Sequence, residues 1–534
     1  MNDHVAGPVA VRDGWDADFD VAVVGYGPVG MVMAALLGRA GHSVVVLERY
    51  AGLYSLPRAA TFDDETMRTL AAIGIADELE PKLRVQRTYE WRNAAGELLI
   101  EQTYAETGRS GWAEWYMMYQ PDLELALDRL NRSTACIEVR HDSAVVDVAD
   151  DGAQVRLTVQ GPDAEVIVTA RYVVACDGGN SFLRQALRIG QEDYGFSEPW
   201  LVCDFLVPRS VVLPNALQIS DPKRPTSIIS LGPDHHRFSF MLDSPEDFTV
   251  EQAPERVWAR VANYLRPHEA KLIRVATYTF RSLVAERWRV GRILLAGDAA
   301  HQMPPFLGQG MVSGIRDTQN IAFKLDRVLR RTTSAHLLDS YQIEREPHVR
   351  AVIERGVELG RLQTVRDPER AAARDRQLRA RRVAGQAPEG MRFPAFADGM
   401  LAAVSGPGRG ELSVQGVVDD GVTRDRLDQV VGYGFHLLID ARLLDALGES
   451  NRFAAAHRAG IRVVALGETP RKGRQAVSVR DVEGTYRRWF AELGCCAILV
   501  RPDFYVFGTA TGEDDLTPLI GDLLGLLVGR SAVR

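Results

Sequence analysis

The chain has 534 residues, 46% hydrophobic and 25% charged, with a net charge of −8. This is the balance of a globular protein with room for two to four domains, and without a long basic block it argues against a nucleic-acid partner. Its five cysteines form no C-x-x-C and no zinc-spaced cluster with histidine, and no apolar stretch is long enough to span a bilayer, so neither a metal nor a membrane partner is expected.

The first eighteen residues are polar and lack the cationic start and apolar core of a signal peptide, so a reduced, cytoplasmic setting is expected. Phe19–Val24 (FDVAVV) then reads as a buried parallel strand. It runs into Gly25-Tyr26-Gly27-Pro28-Val29-Gly30, a G-x-G-x-x-G. Met31–Ala40 follows as a helix stopped at Gly41, and Ser43–Leu47 as a second strand ending on Glu48, 18 residues after Gly30. Strand, glycine turn, helix, strand and acid in this order are the context a dinucleotide fold requires. Gly25 permits the tight turn, Gly27 lets the backbone approach a pyrophosphate, and Gly30 lets helix and strand pack closely. The helix N-terminus supplies free N–H groups, and Glu48 accepts hydrogen bonds from a ribose.

Further along, Arg171–Arg184 (RYVVACDGGNSFLR) combines a buried strand with Asp177-Gly178. Strand patterning at Trp200–Val207 (WLVCDFLV), Thr226–Leu231 and Arg237–Leu242 predicts an antiparallel sheet over about 188–282, inserted between two parts of the dinucleotide unit. Gly291–Leu325 (GRILLAGDAAHQMPPFLGQGMVSGIRDTQNIAFKL) gives another strand, then Gly297-Asp298, then a Pro/Gly-rich turn entering a helix. Taken singly, Asp298 also suits a helix N-cap, Asp177 a turn, Arg58 a solvated surface and His301 a structural role. Leu337–Arg382 has helical spacing with many Arg/Glu pairs, residues 383–410 read as a linker, and a third α/β unit begins near 411. Cys495 and Cys496 read as small hydrophobes at a strand start, and Leu516–Val528 as a packed terminal helix.

The Asp-Gly and Gly-Asp stretches resemble the paired signatures of group A flavoprotein monooxygenases, the para-hydroxybenzoate hydroxylase superfamily. LPRAATFDDETMRTLAAIG (56–74), YQPDLEL (119–125), EPWLVCD (198–204), PPFLGQGM (304–311) and RPDFYVFG (501–508) look closer still to its 3-(3-hydroxyphenyl)propionate hydroxylase branch, and the likeness runs from about 19 to 510. The resemblance implies an α/β fold: a Rossmann-like FAD-binding domain (19–187 and 283–330, with 86–115 shared with the substrate unit), an inserted antiparallel substrate sheet (188–282), a helical segment (331–382), the linker (383–410), and a thioredoxin-like C-terminal domain (411–534) without C-x-x-C. It assigns FAD contacts to Gly25, Gly27, Pro28, Gly30, Glu48, Arg49, Arg58, Gln120, Asp177, Gly297, Asp298, Pro305, Gly308, Gln309, Gly310 and Met311, with Arg58 toward the pyrophosphate and Asp298 on the ribityl chain.

By the same resemblance, NADH or NADPH docks transiently and reduces FAD, and a flavin hydroperoxide formed with dioxygen hydroxylates a small phenolic substrate. The absence of a second G-x-G-x-x-G after a strand agrees with transient docking. The backbone carbonyl of Pro305 is implied to meet the substrate hydroxyl, and His236, Arg237 and Tyr278 are expected to line the substrate cavity, with Arg237 clamping an acidic group. The branch reads Arg-Arg-Trp-Glu-Phe-Met where this chain has His236-Arg237-Phe238-Ser239-Phe240-Met241, a departure from its pattern, and a phenylpropionate-like acid and an aromatic polyketide both stay open as the substrate. Two other readings also stay open: an FAD oxidoreductase without oxygenation, and a non-enzymatic binding protein on the same fold. A structural or homodimer-contact role is expected of the C-terminal unit.

Overall fold

In the computed structural model, residues 17–244, 248–386, 393–404, 406–447, 453–468 and 476–528 are described. Residues 1–16, which carry most of the leading polar stretch, and 387–392 and 405 of the expected linker lie outside these.

Phe19–Val24 is a strand, and its last four residues are buried. It pairs in parallel with Val44–Leu47 on one side and Glu165–Ala175 on the other. Ile137–Arg140 and Ile293–Leu295 extend the parallel sheet outward. Buried on both faces, such strands read as continuous apolar runs, which is why the sequence announces them. The helix Pro28–Arg39 packs between this sheet and the helices Gln120–Ser133 and Gly310–Leu329. The first half of Glu165–Ala175 turns away to pair antiparallel with Val155–Gln160, which pairs with Ala144–Asp150.

A second sheet of eight strands stands beside the first. Its centre is Gln191–Leu206, flanked antiparallel by Lys271–Ala285 and His235–Met241. Thr226–Ser230 and Ala216–Ser220 continue it, and Thr88–Asn93 and Leu98–Thr103 complete one edge. The expectation of an antiparallel sheet needs one correction: Leu217–Ser220 runs parallel to Glu90–Asn93. This strand arrives from an earlier part of the chain, so no hairpin dictates its direction.

The expected single helical segment is two helices, Ser340–Gln363 and Pro368–Val383. The break lies at Asp367-Pro368: Asp367 accepts from the N–H of Arg370 at 2.8 Å, and proline takes the first helical position. Described parts of the expected linker are packed, because Phe396, Met400, Leu401 and Ala402 are buried and Phe396 stacks on Tyr505 with ring centroids 4.2 Å apart.

The C-terminal unit is a seven-stranded mixed sheet in the order Arg424–Arg426, Val417–Asp419, Val477–Asp481, Ile461–Gly467, Phe435–Asp440, Ala497–Val500, Val506–Ala510. It docks through buried charge. Arg68 binds Asp428 with Nε at 2.6 Å and Nη2 at 3.1 Å. Glu344 on the Ser340–Gln363 helix accepts from Arg501 at 2.6 Å and from Lys324 at 2.7 Å. Among the described residues no helix is long and apolar enough to cross a membrane.

Candidate active site

One cavity of about 1460 Å³ runs from the Gly25–Gly30 turn to the second sheet. Pockets for drug-sized ligands hold roughly 300–1,000 Å³, so this one has room for a dinucleotide and a ring-sized substrate together. The turn sets its first wall. Gly25 has φ +99°, and a Cβ there would stand 2.3 Å from the carbonyl oxygen of Cys176. A Cβ on Gly30 would stand 2.1 Å from the carbonyl oxygen of Gly25, whereas one on Gly27 meets nothing within 4 Å. Gly25 and Gly30 thus close the turn, and Gly27 leaves room on the cavity wall. Gly27 caps the Pro28–Arg39 helix with no side-chain hydrogen bond, so the helix N–H groups keep their capacity for an anion.

Glu48 is fixed by its neighbours: Oε2 accepts from the N–H of Tyr26 at 2.7 Å and Oε1 from that of Tyr50 at 3.0 Å. Arg49 and Arg58 line the same end, Arg58 exposed and over the ring of Tyr54. The amide of Gln120 is already engaged. Its Oε1 accepts from the N–H groups of Arg58 and Ala59 at 2.9 and 2.6 Å, and its Nε2 donates to Glu124 at 2.7 Å. Gln120 therefore shapes the Arg58 loop. Glu124, which sequence reasoning missed, also lines the cavity, and burial pushes its carboxyl up to about 7.

The two acidic signatures meet in the middle. Asp177 lines the cavity with Oδ2 accepting from the N–H of Leu183 at 3.1 Å, and its buried Oδ1 has no partner among the described residues. Asp298 lies deep in the protein yet is open to the cavity; burial raises its pKa against the pull of His301 and Arg58, and no protein group donates to it among the described residues. It is not a helix N-cap, since the short 3-10 turn Gly297–Ala299 is capped by Ala296. Arg184 joins the two stretches by donating to the carbonyls of Ala299 at 2.9 Å and Gly179 at 2.8 Å. His301 is fully buried and off the cavity, its Nε2–H donating to Asp317 at 2.6 Å; Asp317 also accepts from the N–H of Gly297 at 3.1 Å and from Arg345 at 3.1 Å. Gly30 and Gly297 sit behind the wall, while Pro28, Pro305, Gly308, Gln309, Gly310 and Met311 are on it. No side chain caps the Gly310–Leu329 helix, a second N-terminus left for a ligand. A bare carboxylate, an orphaned acceptor, two uncapped helix ends and the space at Gly27 fit the ribityl hydroxyls and phosphates of FAD.

The second sheet forms the opposite wall, and strand register decides which side chains face it. Directly opposed residues share a face. One row runs Tyr278–Trp200–Met241, the next Val202–Ser239–Ser227–Gln218, the next Arg274–Asp204–Arg237–Ile229. His236 pairs with Phe205 on the other face, in the apolar layer of Leu201, Cys203 and Phe238. The expectation that His236 lines the cavity is therefore corrected, since adjacent strand residues cannot point the same way. Burial, helped by the charge of Arg84, lowers its pKa to about 4.

Arg237 does line the cavity, but its fork is bound. Nε reaches Asp204 Oδ1 at 2.7 Å, Nη2 reaches Oδ2 at 3.1 Å and the carbonyl of Pro57 at 2.7 Å, and Nη1 donates to the carbonyl of Arg58. It is not a free clamp for a substrate carboxylate. The Pro305 carbonyl already accepts from the N–H of Gly308 at 2.9 Å, leaving one lone pair. Asp204 and Arg274 were missed by sequence reasoning. The signal was Asp204 itself, an acid inside the apolar run WLVCDFLV, which cannot be buried without a cationic partner.

A family model described as FAD binding domain matches residues 18–356, and one described as HcaD C-terminal domain matches 410–524. A protein of Rhodococcus jostii (strain RHA1) named "probable NADH-specific resorcinol 4-hydroxylase" is 49% identical over 511 residues, 95% of this chain and 94% of its own. A 3-(3-hydroxy-phenyl)propionate/3-hydroxycinnamic acid hydroxylase of Mycolicibacterium smegmatis (strain ATCC 700084 / mc(2)155) is 34% identical over 438 residues, 78% of this chain and 76% of its own. Among solved structures, a ternary complex of aklavinone-11 hydroxylase with FAD and aklavinone is 26% identical, with a TM-score of 0.77 over 96% of this chain and 100% of that one. With an FAD-binding model over more than half its length, and hydroxylases of this identity along most of it, the chain belongs to the group A FAD-dependent aromatic monooxygenases.

Proposed function

We propose that the protein hydroxylates a neutral or weakly acidic phenol, with FAD as cofactor, NADH as electron donor and dioxygen as oxidant. One observation carries the reading: a single cavity joins the cradle at Gly27, Glu48 and Asp298 to a chamber whose wall presents Tyr278 beside Trp200 and Phe306. Bound FAD supplies electron acceptance from a nicotinamide and activation of oxygen, chemistry that no side chain offers. The protein's share is placement. Gly27 and the uncapped helix ends receive the phosphates, Asp298 the ribityl hydroxyls, and the Pro304–Met311 turn the ring system. Trp200, Phe280 and Phe306 pack a ring and exclude water, and Tyr278 meets its hydroxyl. The resorcinol named for the relative at 49% identity is the first substrate to try.

The domains are read as 19–187 with 283–330 for FAD and 188–282 for substrate, the latter with help from Thr88–Thr103. The C-terminal unit is read as thioredoxin-like, supported by its parallel Phe435–Asp440 and Ile461–Gly467 pair and its antiparallel Ala497–Ala510 hairpin. Its service is to brace the Gly310–Leu329 helix through Arg501, Glu344 and Lys324. The deciding experiment supplies labelled dioxygen with NADH and resorcinol. One labelled oxygen atom in the product is expected, and oxidation of substrate without label would favour an oxidoreductase that does not oxygenate. Purified protein that cannot be loaded with FAD would favour the binding-protein reading.

A further inference from the structure

A third wall closes the substrate chamber beside the Pro304–Met311 turn. It is the small antiparallel sheet of Thr61–Asp63, Trp115–Met117 and Arg84–Val85. Phe62 and Tyr116 turn back into the core, so by strand alternation Thr61, Asp63, Trp115 and Met117 line the cavity. The ring of Trp115 stacks on Tyr104 with centroids 5.3 Å apart, and a Cβ on Gly308 would lie 3.6 Å from it. Gln86 follows the Arg84–Val85 strand, and its N–H donates to the carbonyl of Trp115 at 2.9 Å. A flat aromatic surface and a buried amide therefore stand together next to the turn.

The bond that Gln86 makes sets the orientation of its amide. Nε2 donates to the carbonyl of Thr88, which has no proton to give, so Oε1 is turned the other way. Gln86 is only 1% exposed and lines the cavity, and its Oε1 has no donor among the described residues. Buried acceptors are nearly always paired, so this one points to a donor from outside the chain. Gln218, across the chamber, offers no such atom. It donates to Tyr89 at 2.6 Å and to Ser227 at 3.0 Å, and it accepts from Gln363 at 2.5 Å. Thr61 Oγ1 is also unpaired, but it would stand 2.3 Å from a Cβ on Gly308 and so belongs to the turn.

Charge decides which kind of donor suits this wall. Glu48, Arg49, Arg58, Glu124, Asp177 and Asp298 lie at the cofactor end, whereas Asp63, Asp64, Glu65 and Glu114 line the third wall. Arg316 is shared by Asp63 and Glu65 and also donates to Gln309 at 2.7 Å. Arg109 is exposed and held by the carbonyl of Leu412 at 2.5 Å and by Glu411 at 3.3 Å. On the facing side Arg237 and Arg274 are committed to Asp204, Arg355 pairs with Glu358 at 2.5 Å, and Arg281 is exposed to solvent. Acids outnumber cations on the third wall. A carboxylate there would meet like charge and an acceptor, with no proton to offer either. A neutral hydroxyl has one.

We propose, resting on the phenol-hydroxylase reading above, that Gln86 is a specificity-determining residue whose Oε1 accepts a hydrogen bond from a second, uncharged hydroxyl on the substrate ring. The chamber then selects dihydroxybenzenes over phenols that carry a methyl or a carboxylate in that place. A site built to bond a substrate hydroxyl rejects the analogue without it, because its own buried group is left unpaired. The step is recognition alone, so binding reads it apart from the chemistry of hydroxylation.

The test is the Kd of each compound for oxidised, FAD-loaded enzyme, read from the change in flavin absorbance without NADH. Wild type should bind resorcinol about tenfold or more tighter than 3-methylphenol, its near equal in size, and also more tightly than 3-hydroxybenzoate. Gln86→Leu should weaken resorcinol by about tenfold and leave 3-methylphenol within about twofold of wild type. Gln86→Met, which keeps the length of the side chain, should do the same and stands in if Gln86→Leu loads FAD poorly. A purely structural role would weaken all three compounds alike, and that result overturns the proposal. So does wild type that binds 3-methylphenol as tightly as resorcinol, or a Gln86 variant that keeps the resorcinol preference. Enzyme that shows the expected ranking yet forms no labelled product from dioxygen would sink the hydroxylase reading instead, so the two failures are distinguishable.

Discussion

Replacing Gly27 and Gly30 by alanine, one at a time, should separate binding of the cofactor from stability of the fold. A Cβ on Gly30 would lie 2.1 Å from the oxygen and 3.1 Å from the carbon of the Gly25 carbonyl. The contact with the oxygen is more than 1 Å inside the ~3.5 Å of van der Waals contact, and both atoms are backbone, so helix and strand must part. Overpacking of this kind costs about 1–3 kcal/mol. Gly27 is the opposite case, with nothing within 4 Å and an unstrained φ of −79° and ψ of 178°. Alanine there gains about 0.4–1 kcal/mol through the unfolded chain, offset by its poorer service as an N-cap. The apoprotein should therefore unfold at nearly the wild-type urea concentration.

FAD binding should respond differently. The methyl of Gly27→Ala occupies the room left for a phosphate, and loss of one charge-assisted hydrogen bond, about 1.5–3 kcal/mol, raises Kd roughly 10- to 100-fold at 1.4 kcal/mol per decade. Urea unfolding of both apoproteins and fluorescence titration with FAD measure the two quantities separately. A Gly27→Ala variant that binds FAD as wild type does, or a Gly30→Ala variant that loses no stability, would refute the reasoning.

Asp298→Ala should leave apoprotein stability unchanged and abolish most flavin retention, because its carboxylate serves no protein donor; Asp317→Asn, which strips charge from between His301 and Arg345, should cost about 3–5 kcal/mol in the same unfolding assay. Arg237→Lys should raise KM for resorcinol and for 3-hydroxybenzoate by the same factor, since its fork is committed to Asp204; a larger effect on the acid would restore the clamp. Cys495→Ser and Cys496→Ser should turn over near the wild-type rate, as both are free thiols whose pKa burial raises, and a large loss in folded protein would give them a role. Burial holds His236 and His436 to about 4, below the unfolded value of about 6.5. Below that unfolded value the unfolded chain binds protons the fold refuses, so stability present above pH ~6.5 should fall toward pH 4, by up to about 3 kcal/mol per imidazole; urea midpoints that stay flat from pH 7 to 5 would contradict this.

What the sequence determined by itself was local. The glycine turn, its flanking strands and Glu48 lie within thirty consecutive residues, and their roles follow from backbone geometry that contiguous residues impose on one another. The Asp367-Pro368 break and the opposite facing of His236 and Arg237 were also legible, from capping and strand alternation, although the helical segment was read as continuous and both residues were placed on the cavity. The substrate wall was of another kind. Asp204, Arg237 and Arg274 come from three strands and Pro57 from a distant loop, and Arg184 links signatures more than a hundred residues apart. Asp204 by its burial demanded a cation, but which of many arginines answered depended on strand order and register. Those are decided by how whole faces of the sheet bury against one another, so only the tertiary structure could turn Arg237 from a free clamp into a bound one and bring Arg274 to Tyr278.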